Sequence, residues 1–334
     1  MTDTHFVTDV DYNRPGRQLS RLQIPVSTNS AGWANEFLPI AVLNGAPGPT
    51  ALLLGGNHGD EYEGQTALIK LAQSIDPEQL HGRLIMIPSL NRPAAQAGTR
   101  LSPLDGKNLN RCFPGSNSDT ITGQIAHYVS SVLFPLADYV IDIHSGGRSI
   151  HFLPSVNMHN VPNADQMQQM VAAGMAWGVP YVFIYRDVGG VGLLPGMAES
   201  LGKVTLGTEI GSASQYGVEM VRYAEEGVQN VLRFAGILRD RPFTPSAEPA
   251  QLVAADEYDD YIMAPVSGIF EPFLEMGDAV AVGQQVGQIH SLETPFQPAA
   301  PVYARTAGMV MGRRSFPLTK QGECVIVVVR PVTL

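Results

Sequence analysis

Apolar residues along this chain fall into short unbroken runs that alternate with stretches of helical period. The first segment, to about residue 48, carries strand-like pieces at Leu19–Val26 and Phe37–Leu43 and ends in the turn formers Asn44 to Pro49. A hairpin feeding a further strand at Thr50–Leu54 is therefore expected. Beyond it, the pattern predicts helix at Glu63–Ser74, strand at Leu84–Pro88, helix at Thr122–Leu133, strand at Tyr139–Ile143 and helix at Asn163–Trp177. Strands at Tyr181–Tyr185 and Val204–Thr208 and a long helix at Val218–Phe234 continue it. Apolar strands alternating with helices of this length are the pattern of an α/β fold, a mixed, largely parallel sheet flanked by helices.

The periodicity stops at Arg239–Gln251, where prolines, Ser246 and Glu248 make a plausible linker. From Tyr261 onward short strands and closely spaced glycines predict a small all-β unit. It contains a faint repeat. Val266–Phe270 leading to Gly277-Asp278 and Val286–Ile289 is echoed by Thr306–Val310 leading to Gly322-Glu323 and Val325–Val328. Two pseudo-symmetric halves of a barrel-sandwich, similar to biotinyl and lipoyl domains, would explain it. The midpoint Ser291–Pro301 holds no lysine, so packing or oligomerisation is expected of this unit instead of a carrier role. The expected division is an N-terminal β extension over 1–48, a catalytic domain over 49–240 and a β-barrel domain over 252–334.

Composition narrows the class of protein. A chain of 334 residues exceeds the usual single core. A formal charge of -10 disfavours nucleic acid and anionic membrane surfaces as partners. Two cysteines, Cys112 and Cys324, are too few for a disulfide framework or a thiolate cluster. The polar start Met1–Pro15 lacks the pattern of a secretion signal, and no run approaches the roughly 20 apolar residues that span a bilayer. A cytoplasmic protein with a small-molecule partner is the expectation, with homo-oligomer formation left open.

The candidate chemistry collects where strands end. In Gly55-Gly56-Asn57-His58-Gly59-Asp60-Glu61 a histidine and a carboxylate follow the apolar run Ala51–Leu54, at the carboxyl edge where open α/β sheets bind ligands. As an isolated spacing it could equally be a helix start capped by Asn57 or Asp60. Asp142 and His144, two apart at the end of another buried strand, change the balance. His144 would be the third ligand of a catalytic metal that keeps a position for water, and Asp142 would be the carboxylate that orients it; Asp142 facing solvent at the strand end is the alternative. Glu209 closes the strand Val204–Thr208 and fits a base beside metal-activated water. The polar loop Gly98–Arg111 offers Arg100 and Arg111, one for a substrate carboxylate and one for an oxyanion.

In their order along the chain, His58-Gly59-Asp60-Glu61, Asn110-Arg111 with Phe113-Pro114-Gly115, Asp142-Ile143-His144 and Thr208-Glu209-Ile210-Gly211 resemble the succinylglutamate desuccinylase and aspartoacylase family, a branch of the zinc-carboxypeptidase-like fold. The resemblance covers Ala51 to about Gly236. It implies one Zn2+ per chain held by His58, Glu61 and His144, with Glu209 as general base and proton shuttle. It further implies that Asn110 and Arg111 hold the substrate carboxylate while Arg100 polarises the scissile carbonyl. Residues Gly56–Gly64, Ala97–Gly115, His144–Pro154 and the C-terminal unit are most similar to the bacterial branch that deacetylates N2-acetyl-L-2,4-diaminobutanoate in ectoine breakdown. Succinylglutamate desuccinylase or aspartoacylase activity is the alternative of the same chemistry, and a non-catalytic metal-containing binding protein the alternative of another class.

Other features read more plainly. His151 and His159 are expected in ordinary polar roles. Asp187 and Glu199 could meet a substrate amine but read as exposed surface carboxylates. Gly189–Gly192 lacks the last glycine of a dinucleotide-binding turn, which leaves a mobile loop over the pocket as its reading. No Gly-x-Ser-x-Gly elbow occurs, and Cys112 has no histidine and acid pattern to make it a nucleophile.

Overall fold

The computed structural model describes residues 4–187, 190–212 and 216–333. The chain opens with a long hairpin, β1 (Gly16–Thr28) and β2 (Ala31–Asn44), followed by β3 (Ala46–Gly55), α1 (Glu63–Ser74), β4 (His81–Ile87) and the short α2 (Arg92–Ala97). Next come α3 (Ile121–Tyr128), β5 (Tyr139–Ile143), β6 (Ile150–His159), α4 (Ala164–Ala176), β7 (Tyr181–Tyr185), α5 (Leu194–Ser200), β8 (Val204–Gly211) and α6 (Val218–Phe234). The helix expected over Thr122–Leu133 keeps its path but changes its winding, passing from α3 into a π turn at Val129–Leu133 and a 3₁₀ turn at Phe134–Leu136. Pro135 lacks the N–H that would carry a helix further.

One mixed sheet organises these elements, in the order β1, β2, β4, β3, β5, β8, β6, β7. From β4 to β7 neighbouring strands run parallel except β6 against β8. Both faces are covered, so alternate residues of one strand feed two cores. Ala51 and Leu53 join residues of α1, α4 and α6; Leu52 and Leu54 join residues of α3 and α5. That double burial is why the central strands are unbroken apolar runs.

The remaining strands are β9 (Gln251–Ala255), β10 (Tyr261–Met263), β11 (Gly268–Pro272), β12 (Ala279–Val280), β13 (Gln285–His290), β14 (Ala300–Tyr303), β15 (Gly308–Arg314), β16 (Leu318–Thr319) and β17 (Cys324–Pro331). The break at Arg239–Gln251 is followed at once by β9, which pairs parallel with β7 from Tyr181↔Gln251 to Tyr185↔Ala255 and so extends the same sheet. β17 then pairs with β9, β15 with β17, and β15 back with β6 through Gly312↔Phe152. These five strands therefore close on themselves, around Phe183, Val253, Met311, Val327 and Val329.

A second sheet, in the order β14, β13, β11, β16, completes a β-sandwich whose core includes Ile262, Phe270, Val286, Val310 and Val325. The internal repeat is visible in its turns. Gly277 N–H donates to Val310 O and Gly322 N–H to Ala264 O, both at 2.9 Å. The acid after each glycine closes its own turn: Asp278 accepts from Glu275 N at 2.8 Å and Glu323 from Lys320 N at 2.9 Å.

Candidate metal centre and substrate cavity

His58 and Glu61 sit in the turn between β3 and α1, and His144 follows β5 directly. Two glycines let these segments meet. A side chain on Gly59 would lie 2.0 Å from the backbone carbon of Ala94 in α2, and one on Gly64 would lie 2.6 Å from Ile143 Cβ at the end of β5. With both absent, the metal-type donors of His58, Glu61 and His144 all fall within 4.8 Å of one another. Helix capping does not explain the motif: α1 has Tyr62 at its N-cap and no side-chain cap. Asn57 instead donates to Asp142 at 2.8 Å, and Asp60 accepts from Arg148 N at 3.1 Å.

The hydrogen bonds fix which nitrogen of each imidazole faces inward. His144 Nε2 donates to Asp142 Oδ2 at 2.8 Å, and His58 Nε2 lies 3.2 Å from Asn108 Oδ1. An N–H engaged in this way leaves Nδ1 as the lone-pair nitrogen. These Nδ1 atoms face the two oxygens of one carboxylate, His58 to Glu61 Oε1 at 2.8 Å and His144 to Glu61 Oε2 at 2.7 Å. Lone pairs set against carboxylate oxygens in a buried site require a positive charge among them. A proton can serve, and so can a metal ion, for which two imidazoles and a carboxylate are an ordinary donor set. Asp142 is fully buried, not turned to solvent.

The electrostatics agree with a site built for a cation. Burial works to keep Glu61 protonated, but His58 and His144 beside it hold the carboxyl far below its ordinary range. Burial also pulls His144 down, and the adjoining Asp142 and Glu61 override it, raising the imidazole well above its usual value. His58 moves the other way because its burial outweighs the attraction of Glu61. At the end of β8, Glu209 is pushed up to about 8 by burial and by the charge of Glu61, against the pull of His144 and Arg100. Its Oε2 is buried without a hydrogen-bond partner. A divalent ion at the histidines would draw that carboxyl back toward its ionised form.

A cavity of about 370 Å³ opens over these residues and is also lined by Arg100, Asn110 and Arg111. The arginine loop is pinned on both sides. Asp105 accepts from Thr122 N at 3.0 Å at the start of α3, and Asn110 Oδ1 accepts from Leu194 N at 2.8 Å at the start of α5. That second bond leaves the amide nitrogen of Asn110 as the group able to serve a carboxylate. Arg100 Nη1 lies 3.1 Å from His58 Nδ1 and 3.3 Å from Glu61 Oε1, so its guanidinium reaches two of the three converging donors from the cavity side. Arg111 is partly buried, which lowers its affinity for its proton, with Asp187 opposing that effect.

Several contributors escaped the sequence reading. Asn108 and Asn57 orient a histidine and its aspartate, and polar loop residues of this kind carry no period that singles them out. Glu199 corrects the expectation of a surface carboxylate: it is 7% exposed and is bonded to His159 at 2.6 Å. Tyr261, Cys324 and Val327 reach the cavity from the C-terminal strands. Gly189 lies outside the described residues, while Gly192 O at the other end of that loop accepts from Phe113 N at 3.0 Å.

A mixed α/β sheet with two histidines and a glutamate converging at its strand ends, a buried acid beside them and arginines lining the same cavity has the layout of a hydrolase site whose donors could hold a metal ion. Residues 47–235 match the model of the succinylglutamate desuccinylase/aspartoacylase catalytic domain, and the chain belongs to that enzyme family. It is 34% identical over 325 residues to the N-alpha-acetyl-L-2,4-diaminobutyric acid deacetylase of Halomonas elongata, covering 97% of this chain and 94% of the relative. Among solved structures it is similar to a succinylglutamate desuccinylase/aspartoacylase from Rhodobacter sphaeroides, at 36% identity and a TM-score of 0.94 over 99% of this chain and 100% of the other. The product-bound ectoine utilization protein EutE of Ruegeria pomeroyi superposes with a TM-score of 0.93 at 34% identity, again over 99% and 100% of the two chains. Among the described residues no helix is long and apolar enough to cross a membrane.

Proposed function

We propose that this enzyme is a zinc-dependent amidohydrolase that removes acetate from N2-acetyl-L-2,4-diaminobutanoate, a cytoplasmic step of ectoine breakdown. The observation that carries the reading is the convergence of His58, Glu61 and His144 beside the unpartnered Glu209 oxygen, in a cavity that also presents Arg100 and Arg111. The extent of the match to the Halomonas elongata deacetylase supports the substrate. In this reading His58, Glu61 and His144 hold the zinc ion, one per chain, and Asp142 keeps His144 in the tautomer that presents Nδ1. Zinc bound there would supply Lewis acidity toward the amide carbonyl and lower the pKa of a water toward neutral.

Each remaining task falls to a residue of this chain. Glu209 takes a proton from the attacking water and delivers it to the leaving amine, so that the acyl carbon–nitrogen bond breaks as acetate and a free amine form. Arg111 and the amide nitrogen of Asn110 hold the substrate carboxylate, and a planar guanidinium suits that ligand. Arg100 stands where it can stabilise the oxyanion that develops on the scissile carbonyl. A panel of N2-acetyl-L-2,4-diaminobutanoate, succinylglutamate and N-acetylaspartate, assayed on the zinc-loaded enzyme, tests the reading. The diaminobutanoate is expected to have the highest kcat/KM, and a higher value for either dicarboxylic substrate would overturn the assignment.

A further inference from the structure

One wall of the cavity uses neither the metal-type donors nor the arginine loop. Tyr185, the last residue of β7, lines it, and the ring of Tyr185 packs 4.3 Å from that of His159, its partner in register at the end of β6. His159 is in turn held by Glu199 of α5, whose carboxylate faces His159 Nδ1 at 2.6 Å and His159 N–H at 3.3 Å. The backbone of Glu199 is fixed as well, since its carbonyl accepts from Gln166 Nε2 at 2.9 Å. A carboxylate buried this deeply and paired to an imidazole, with no arginine or lysine on it among the described residues, leaves negative potential in the wall it supports.

Tyr185 sits in that potential. Burial first, and then the carboxylates of Glu199, Asp187 and Glu209 around it, hold its phenol proton on well above the ordinary range. The hydroxyl thus stays neutral, with an oxygen able to accept, and the ring offers a π face. The neighbouring wall, Phe152, Phe183 and Val327, is apolar. Arg186, the lining arginine outside the Gly98–Arg111 loop, is exposed. A primary ammonium has three donors and no acceptor and suits such surroundings. A second carboxylate would be repelled there.

We propose that Tyr185, backed by His159 and Glu199, receives the side-chain ammonium of the substrate and so selects an N-acyl diamino acid over an N-acyl dicarboxylic acid. This rests on the amidohydrolase reading above and assigns to it the residues that read the side chain. Tyr185 is the contact residue. His159 and Glu199 are positioning residues that set its orientation and the local charge.

The test compares kcat/KM for N2-acetyl-L-2,4-diaminobutanoate with that for N-acetyl-L-2-aminobutanoate, which keeps the acyl group, the carboxylate and the carbon chain but lacks the amine. The wild-type enzyme favours the first. In Glu199→Gln the ratio of the two values is expected to fall about tenfold or more, the effect of removing one charge from a buried polar contact. Tyr185→Phe, which keeps the ring against His159, is expected to lower the same ratio and covers the case in which the first variant does not fold. A general structural defect lowers both values together and leaves the ratio in place. A wild-type ratio near one, or a high ratio that survives in both variants, overturns the inference while the deacetylase reading stands. A wild-type preference for succinylglutamate or N-acetylaspartate overturns that reading itself.

Discussion

On one side of the cavity Asn57, Asp142, His144, Glu61, His58 and Asn108 form an unbroken run of polar contacts between 2.7 and 3.2 Å. On the other, Phe152, Phe183, Tyr261, Cys324 and Val327 arrive on β6, β7, β10 and β17 and are held mainly by apolar packing. The two walls differ in how they answer to damage. In the polar run each member satisfies the next, so removing one strands a buried donor or acceptor and misorients its neighbours. The apolar wall has no such chain, and truncation there costs in proportion to the volume lost. On the proposed function, chemistry that needs one geometry would rest on the first and the shape that admits a substrate on the second.

Five variants separate the two behaviours, and the largest effect belongs to the polar run. His58→Ala is expected to lose bound zinc and all measurable turnover; zinc content close to that of the wild type would remove His58 from the ligand set. Glu209→Gln should keep its zinc and lose turnover by about 10²–10⁴-fold, the range for a positioned acid–base group. Substantial residual activity would exclude Glu209 as the base. In Asp142→Asn zinc affinity or activity is expected to drop about 10–100-fold, as for other carboxylates that orient a ligating histidine, and metal titration checks it. Arg111→Ala should raise KM by roughly tenfold or more with a smaller change in kcat; an unchanged KM contradicts carboxylate binding. Val329→Ala, in the apolar ring of strands behind the second wall, is expected to keep full zinc occupancy and lose about 1–3 kcal/mol of stability. Denaturant unfolding followed beside zinc analysis tests that last contrast, and zinc loss in step with stability would break it.

The two walls also differed in legibility. Helices α1 and α6 and strands β5 and β7 lie where the periodicity put them, because each is long or apolar enough for its period to dominate. The short α2 and α5, of six and seven residues, show no usable period. The convergence of His58, Glu61 and His144 was legible because His144 follows the apolar run of β5 directly and the other two lie in the turn that ends the apolar run of β3. Asn108 was not, since nothing about one asparagine in a polar loop announces the histidine 50 residues earlier that it touches. Glu199 was read as surface because carboxylates usually are; its burial depends on His159, 40 residues away in the chain.

The C-terminal strands mark the same division. Their repeat was readable in the spacing of Val266–Phe270 and Thr306–Val310, and the structure shows it as matched turns. That β15 returns to pair with β6 and β17 with β9, placing Val327 and Cys324 in the cavity, was not. By itself the sequence determined the alternation of strands and helices, the strand-end motifs and their chemical types, since hydrophobic period and side-chain chemistry are local properties. Tertiary structure alone decided which nitrogen each histidine presents, which carboxylates are buried and which strands wall the cavity. Those depend on contacts between residues far apart in the chain, and a local pattern carries no record of its partner.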